Sequence, residues 1–388
     1  MNPFLLALTL SLSATASARM PEDFAFDLYR AVASANTDKN VFLSPAGARW
    51  TLGMVYAGSA GGTREQMAKV LGAKPLAENL KFESERLSSL LQADEHVRLH
   101  VANSLWLKKG SPIKKSFVTS VEEAYKADVF ERGFTPADVS EVNSWVAAKT
   151  EGKIKAILKE FKDDSRAVLL NAVYFKGNWT AKFSPQATKE EDFRLASGKT
   201  VKRKLMDHSG DYAYFEGPNL QAVRLPYGNK RLAMIILLPG RDMPLSRLNA
   251  LMTASVWRET LAGMRLREGR VRLPKFKLEF TSPLNGALKA MRMTLPFDRS
   301  RADFTAMSDP RNPEERLFLS EVLQKAYVEV NEEGTEAAAA THGVMGAIGS
   351  ALPQGPPFDF HADHPFLYAI SDDQTGEILF LGALHDPK

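Results

Sequence analysis

The chain has 388 residues, 44% of them hydrophobic and 25% charged, the composition of a folded protein with a large core. Its net charge is only +4 and both signs are dispersed, so composition makes no case for a nucleic-acid or membrane-surface partner. Cysteine is absent, which excludes a thiol nucleophile, thiolate metal sites and disulfides. A core of this size stands without cross-links.

Residues Phe4 to Leu12 are almost wholly apolar, and Ala16-Ser17-Ala18 supplies the small residues a signal peptidase needs. The expectation is a secretory signal peptide over residues 1–18, cut before Arg19, and a secreted or periplasmic, extracellular product. The first residues lack Lys and Arg, so the alternative is an N-terminal helix that stays attached. No other apolar run reaches bilayer-spanning length.

Pro21 to Ala35 predicts a helix, with Phe24, Leu28 and Val32 four apart and acids in the first turn. Ser44 is placed to cap a buried helix that begins at Pro45. Thr63 and Gln66 read as the capping box of a further helix that stops at Gly72. Leu99 to Leu107 predicts a strand, Ser116 to Val129 a helix, and Glu141 to Leu158 a helix with Gly152 as its natural stop. Ala167 to Trp179 carries almost no charge and predicts a strand buried on both faces.

Lys202 to Leu238 predicts several short alternating strands, and Tyr227 to Gly240 a hairpin whose second strand is core. Pro244 to Gly263 reads as mainly helical, Val271 to Phe280 as one alternating strand, and Leu284 to Met291 as a short helix. Val322 to Val330 alternates, with Gln324, Ala326, Val328 and Val330 on one face and Lys325, Tyr327 and Glu329 on the other.

The stretch after it, Glu332 to Leu352, reads EEGTEAAAATHGVMGAIGSAL. It contains no Lys or Arg and no short turn is expected before it. Read as an extension of the strand, one face carries Thr335, Ala337, Ala339, Thr341, Gly343 and Met345. That face could enter a sheet without stranding a charge. Alanine favours helix over strand, so the segment is locally ambivalent. From composition alone it is a surface linker.

Enzyme signatures are missing. There is no GxSxG, Walker A or GxGxxG, and the seven histidines are scattered. His361 and His364 are three apart, but in a segment with a structural reading. No cofactor, no metal and no catalytic residue are expected.

Asn331 to Thr341, NEEGTEAAAAT, resembles the hinge of the serpins. Phe360 to Ile370, FHADHPFLYAI, resembles the segment that follows the serpin reactive loop. Further likenesses are Asn40 to Pro45 (NxFxSP), Ala102 to Gly110, Val142 to Ile154, Ala167 to Trp179 and Leu295 to Ser308. The chain is therefore identified as a member of that family. The resemblance implies an α+β chain with the serpin fold: mixed β-sheets, a large central sheet surrounded by helices, and an exposed reactive-centre loop. One domain over 19–388 is implied, with the loop at about 332–357.

The function implied is suicide inhibition of serine proteases. A target protease cuts the loop and forms an acyl-enzyme. The loop's N-terminal half then enters the central sheet as an added strand before deacylation. The partner is a protease in covalent complex, with no nucleic acid or membrane, and the protein is expected to be a monomer and not an enzyme.

The implied hinge is Glu332, Glu333, Gly334, Thr335, Glu336, Ala337, Ala338, Ala339, Ala340 and Thr341. Family spacing puts the reactive bond at Ile348–Gly349, with Ala347, Ser350, Ala351 and Leu352 as alternates. No Lys or Arg occurs between Lys325 and Lys388, so an elastase-, subtilisin- or chymotrypsin-like target is implied rather than a trypsin-like one. Ser44, Asn171, Gln324 and Trp179 match the region where the sheet opens; for Trp179 plain core packing is the equal alternative. The family usually has His where Gln324 stands, which bears on the rate of opening. Alternatives are a non-inhibitory member (carrier, chaperone or mere substrate) and cross-class inhibition of a cysteine protease.

Overall fold

A computed structural model describes residues 19–312, 315–335 and 356–388. The expected signal peptide, the hinge residues Glu336 to Thr341 and the reactive-bond candidates Ala347 to Leu352 lie outside the described residues. The helices are α1 Pro21–Ser34, α2 Pro45–Gly58, α3 Gly61–Leu71, α4 Leu76–Leu91, α5 Lys115–Tyr125, α6 Pro136–Lys149, α7 Leu245–Leu251, α8 Ala254–Gly263 and α9 Asn285–Ala290.

Two sheets organise the described residues. The central one has six strands: β10 (Phe276–Pro283), β11 (Leu319–Asn331), β12 (Gly334–Thr335), β4 (Ala167–Asn178), β2 (Val97–Lys108) and β3 (Asp128–Arg132). It is mixed: β4 runs antiparallel to β2 but parallel to β11. The other sheet orders β1 (Val41–Leu43), β15 (Ile378–Leu384), β14 (Phe366–Asp372), β8 (Leu232–Pro239), β7 (Leu220–Pro226), β6 (Thr200–Gly217), β9 (Arg265–Pro274) and β13 (Phe358–His361), with β5 (Lys189–Arg194) on β6. This is the α+β arrangement expected, a large mixed central sheet flanked by helices.

β4 shows why the sheet is central. Leu169, Val173 and Phe175 join the main core, whereas Val168, Leu170, Ala172 and Tyr174 join a second apolar cluster under α6. Both faces are covered, as its near-absence of charge predicts. On the main-core side α2 is buried along its whole length. Ser44 caps it, accepting from the Gly47 amide at 3.1 Å. Gly47 lies so close to the sheet that a Cβ there would come within 2.5 Å of Asn171 Oδ1.

Several expected boundaries move. α3 starts at Gly61 rather than at Thr63, whose hydroxyl instead accepts from the Asp303 amide, while Gln66 Oε1 accepts from the Thr294 and Leu295 amides. Its end at Gly72, in the left-handed region, is as expected. α5 stops at Tyr125 because Lys126 turns left-handed, and Asp128–Arg132 pairs with β2 as an edge strand. α6 begins earlier, where Thr135 and Asp138 form a capping box, and ends at Lys149.

The supposed single strand Val271–Phe280 is two, β9 and β10, in different sheets, broken between Pro274 and Phe276. One of the supposed short strands, β6, is 18 residues long. β11 faces as its alternation predicts, yet Tyr327 is buried too, because the α6 cluster covers it.

Candidate functional site: the seam between β4 and β11

β4 and β11 pair directly from Leu319–Ala167 to Tyr327–Tyr174. Beyond that point they diverge. β11 does not continue into the next stretch as an extended strand. It turns tightly at Glu332 and Glu333, and Gly334–Thr335 comes back between the two strands, antiparallel to both. Thr335 lies opposite Val330 and Gly177. The physical reason is glycine. Gly334 has φ +151°, and a Cβ there would stand 2.1 Å from the Gly177 carbonyl oxygen, so only a residue without a side chain allows the close approach.

Six interactions hold this hinge. Glu332 accepts from the Thr188 hydroxyl at 2.7 Å and pairs with Lys275 at 2.7 Å. Burial pushes its carboxyl up, but these two partners outweigh that and hold it below the ordinary glutamate value. Glu333 pairs with Lys182. The Glu332 and Glu333 carbonyls accept from the Phe183 and Trp179 amides at 3.0 and 2.9 Å. Trp179 Nε1 donates to the Asn331 carbonyl at 2.9 Å. Trp179 is thus both core and hinge support: its ring is buried, and its indole reaches the strand end.

Lower in the seam, Gln324, Asn171 and Asn103 share one row of the sheet. Gln324 Oε1 accepts from the Ser44 amide at 2.8 Å. Its Nε2 donates to the Ser44 carbonyl at 2.8 Å and to Asn171 Oδ1 at 2.7 Å. Asn171 Nδ2 donates to Asn103 Oδ1 at 2.8 Å, which also accepts from the Thr51 hydroxyl. The Ser44 hydroxyl donates to the Leu379 carbonyl at 2.6 Å. Every member is at most 2% exposed, and the Gln324–Asn171 bond is the side-chain latch across β4 and β11.

The other face of the seam is covered by α6 and the segment after it. Ile154, Ile157 and Leu158 pack with Leu170, Leu323 and Tyr327. Asn143 on α6 pins that segment: its Oδ1 accepts from the Ile157 and Leu158 amides at 2.9 and 3.1 Å, and its Nδ2 donates to the Leu158 carbonyl at 2.8 Å. Lys325 Nζ donates to the Ala156 carbonyl at 2.6 Å.

The far end of the Glu336–Gly355 stretch is anchored independently. β13 pairs parallel with β9. Phe358 lies flat on Gly269, where a Cβ would be 2.3 Å from its ring, and stacks on Tyr214 at 3.9 Å. Arg267 lies over both rings and donates to the Pro356 carbonyl at 2.7 Å. In the HADHP segment His364 bonds Asp363 and approaches the Pro239 carbonyl, each at 2.8 Å, a structural tie. Among the described residues no group of three or more His, Asp or Glu could hold a metal.

The seam therefore unites Ser44, Asn171, Gln324, Trp179, Glu332, Glu333, Gly334 and Thr335. Sequence reasoning missed Asn103, Thr51, Lys275, Lys182 and Thr188. Each lies far along the chain from its partner and carries no local signal of the contact.

A family model described as Serpin (serine protease inhibitor) matches residues 19–387. The chain is 36% identical to the leukocyte elastase inhibitor of Sus scrofa, over 94% of this chain and 97% of that protein. Its fold is similar to that of tengpin, a thermophilic serpin in its native state, with TM-score 0.85, 28% identity and coverage of 94% and 93%. It is also similar to thyroxine-binding globulin in complex with thyroxine, with TM-score 0.84, 25% identity and coverage of 95% and 98%.

Proposed function

This chain belongs to the serpin family, and from that premise we propose that it is a suicide inhibitor of serine proteases whose cut loop enters the seam between β4 and β11. One observation carries the reading: Gly334 and Thr335 already occupy the seam's mouth, paired to both strands. The strands below them are joined directly, without an intervening strand.

The register supports the reactive bond. Ten positions along β4 from Gly177 stands Ala167, where β4 begins. A strand entering in the register of Thr335 would reach that end with Met345, three residues before Ile348. A protease esterified at Ile348 would then be carried the full length of the sheet and pressed against the opposite pole. Distortion of its oxyanion hole there would stall deacylation. The N-terminal half is free to travel after cleavage because the distal half has its own anchor in β13.

The target class follows from the loop's lack of Lys and Arg: elastase-, subtilisin- or chymotrypsin-like, acting on a monomer through a covalent complex. Export rests on residues 1–18 and is checked by the mature N-terminus, expected at Arg19. The similarity to thyroxine-binding globulin keeps a carrier reading as the rival.

Mixing the purified protein with pancreatic elastase and with subtilisin, followed by denaturing gels and intact mass, separates them. The expected result is an SDS-stable complex and a released fragment beginning at Gly349. A different fragment start would move the bond to Ala347, Ser350, Ala351 or Leu352 and keep the mechanism. Clean cleavage by both enzymes without complex would make the chain their substrate rather than their inhibitor and leave loop insertion to be judged from the thermal stability of the cleaved chain; trapping of papain alone, tested alongside, would reassign the target to cysteine proteases.

A further inference from the structure

The Tyr227 hydroxyl meets the Thr335 hydroxyl at 2.7 Å, with both residues fully buried. Tyr227 follows β7, in a part of the chain remote from the hinge, and it forms an isolated antiparallel bridge with Trp179. Its ring stacks on Trp179 at 4.4 Å and 11° and meets Phe175 edge-on at 5.0 Å. The phenol is therefore fixed between two core aromatics and points at one place, the inner face of the seam's mouth. Burial pushes its ionisation well above the ordinary tyrosine value, so it remains a neutral hydroxyl. Among the described residues it has no hydrogen-bond partner but Thr335.

We propose that Tyr227 is a positioning residue for loop entry: its hydroxyl seats Thr335 in register at the mouth of the seam, so that strand insertion begins from a residue already paired. The inference rests on the inhibitory reading and deepens it. After acylation, entry competes with deacylation. The slowest part of adding a strand is fixing its first pairs, and later pairs follow at lower entropic cost. A Thr335 already paired with Val330 and Gly177 removes that first step. The paired hydroxyls make the seat specific, because each would be orphaned in the core without the other. A serine at this position would keep the bond, and a valine would fill the space and lose it.

The test compares Y227F, T335V, T335S and the double variant Y227F/T335V, each mixed with pancreatic elastase and with subtilisin. The readout is the ratio of SDS-stable complex to cleaved free chain, beside the rate of loop cleavage. Y227F and T335V are each expected to lower the ratio about three- to tenfold, the effect of one buried hydrogen bond, while the cleavage rate stays unchanged. T335S is expected to match the wild type. The double variant is expected to fall no further than either single, since both hydroxyls are then gone.

An unchanged ratio in Y227F, or a double variant at the product of the two singles, would overturn the proposal and leave Tyr227 a packing residue. If the wild type forms no complex with either protease, the inhibitory reading fails separately. The seat is then read from urea unfolding of the intact chain, where coupling between Y227F and T335V supports it and additivity removes it.

Discussion

Gln324 makes three hydrogen bonds because a primary amide carries two donors and an acceptor, whereas a neutral imidazole offers one of each. A histidine at this position could satisfy at most two of the Ser44 amide, the Ser44 carbonyl and Asn171 Oδ1 through neutral ring nitrogens. The seam latch here is correspondingly tight. Q324H is expected to lower the stability of the intact chain by about 1 kcal/mol and to speed loop entry, as measured by urea unfolding and by the trapping ratio. At the mouth, G334A is expected to unseat the hinge, since its Cβ would collide with the Gly177 carbonyl. The readout is a change in Trp179 fluorescence in the intact chain.

Glu332 makes the hinge pH-dependent. Its folded value is depressed, so its contribution is present above the ordinary glutamate pKa of about 4.3 and is lost as pH falls through the lower folded value. The stability gap between wild type and E332Q should therefore be constant from about pH 8 to 5 and close below about pH 4. The inward facing of Gln324 was legible from alternation along the strand, while Gly334 and Thr335 were picked out as a hinge only through the family resemblance. That Lys275 and Thr188 hold Glu332 was not legible, because ion pairs across the fold leave no periodicity.

Among the elements, α6 and the segment Ile154–Leu158 pack in one apolar cluster with residues of β4 and β11, so under the proposed mechanism they would have to yield for the seam to open. Asn143 ties the two together, so N143A is expected to cost about 1–3 kcal/mol of native stability, through orphaned backbone groups, and to raise the trapping ratio by loosening the cover. A fall in both quantities would mean that α6 supports the sheet more than it obstructs insertion. Element types were largely readable where periodicity was long, as in α1, α2, β4 and β8. They failed where one local feature overrode the pattern. Lys126 turns left-handed and ends α5, Pro274 divides β9 from β10, and Gly334 reverses a chain that alternation alone would have extended.

At the scale of the whole molecule, the proposed inhibition requires the seam between β4 and β11, which pair directly below Thr335, to admit a strand supplied by the chain itself. The expected layout of mixed sheets and helices was legible through the resemblance. The way β11 and β4 close directly on each other below Thr335 was not, because parallel pairing of distant strands has no local signature. If the intact chain is held in a state of higher free energy, cutting the loop removes the tether and lets the strand form without any partner present. The most direct test is to nick the loop with a protease that forms no complex, confirm by mass that both fragments remain associated, and compare thermal unfolding with that of the intact chain. A large upward shift in Tm on cleavage is the predicted result, because the described hinge residues Gly334 and Thr335 pair with only two of the twelve residues of β4. An unchanged or lower Tm would mean that the seam does not accept the strand, and would contradict the account.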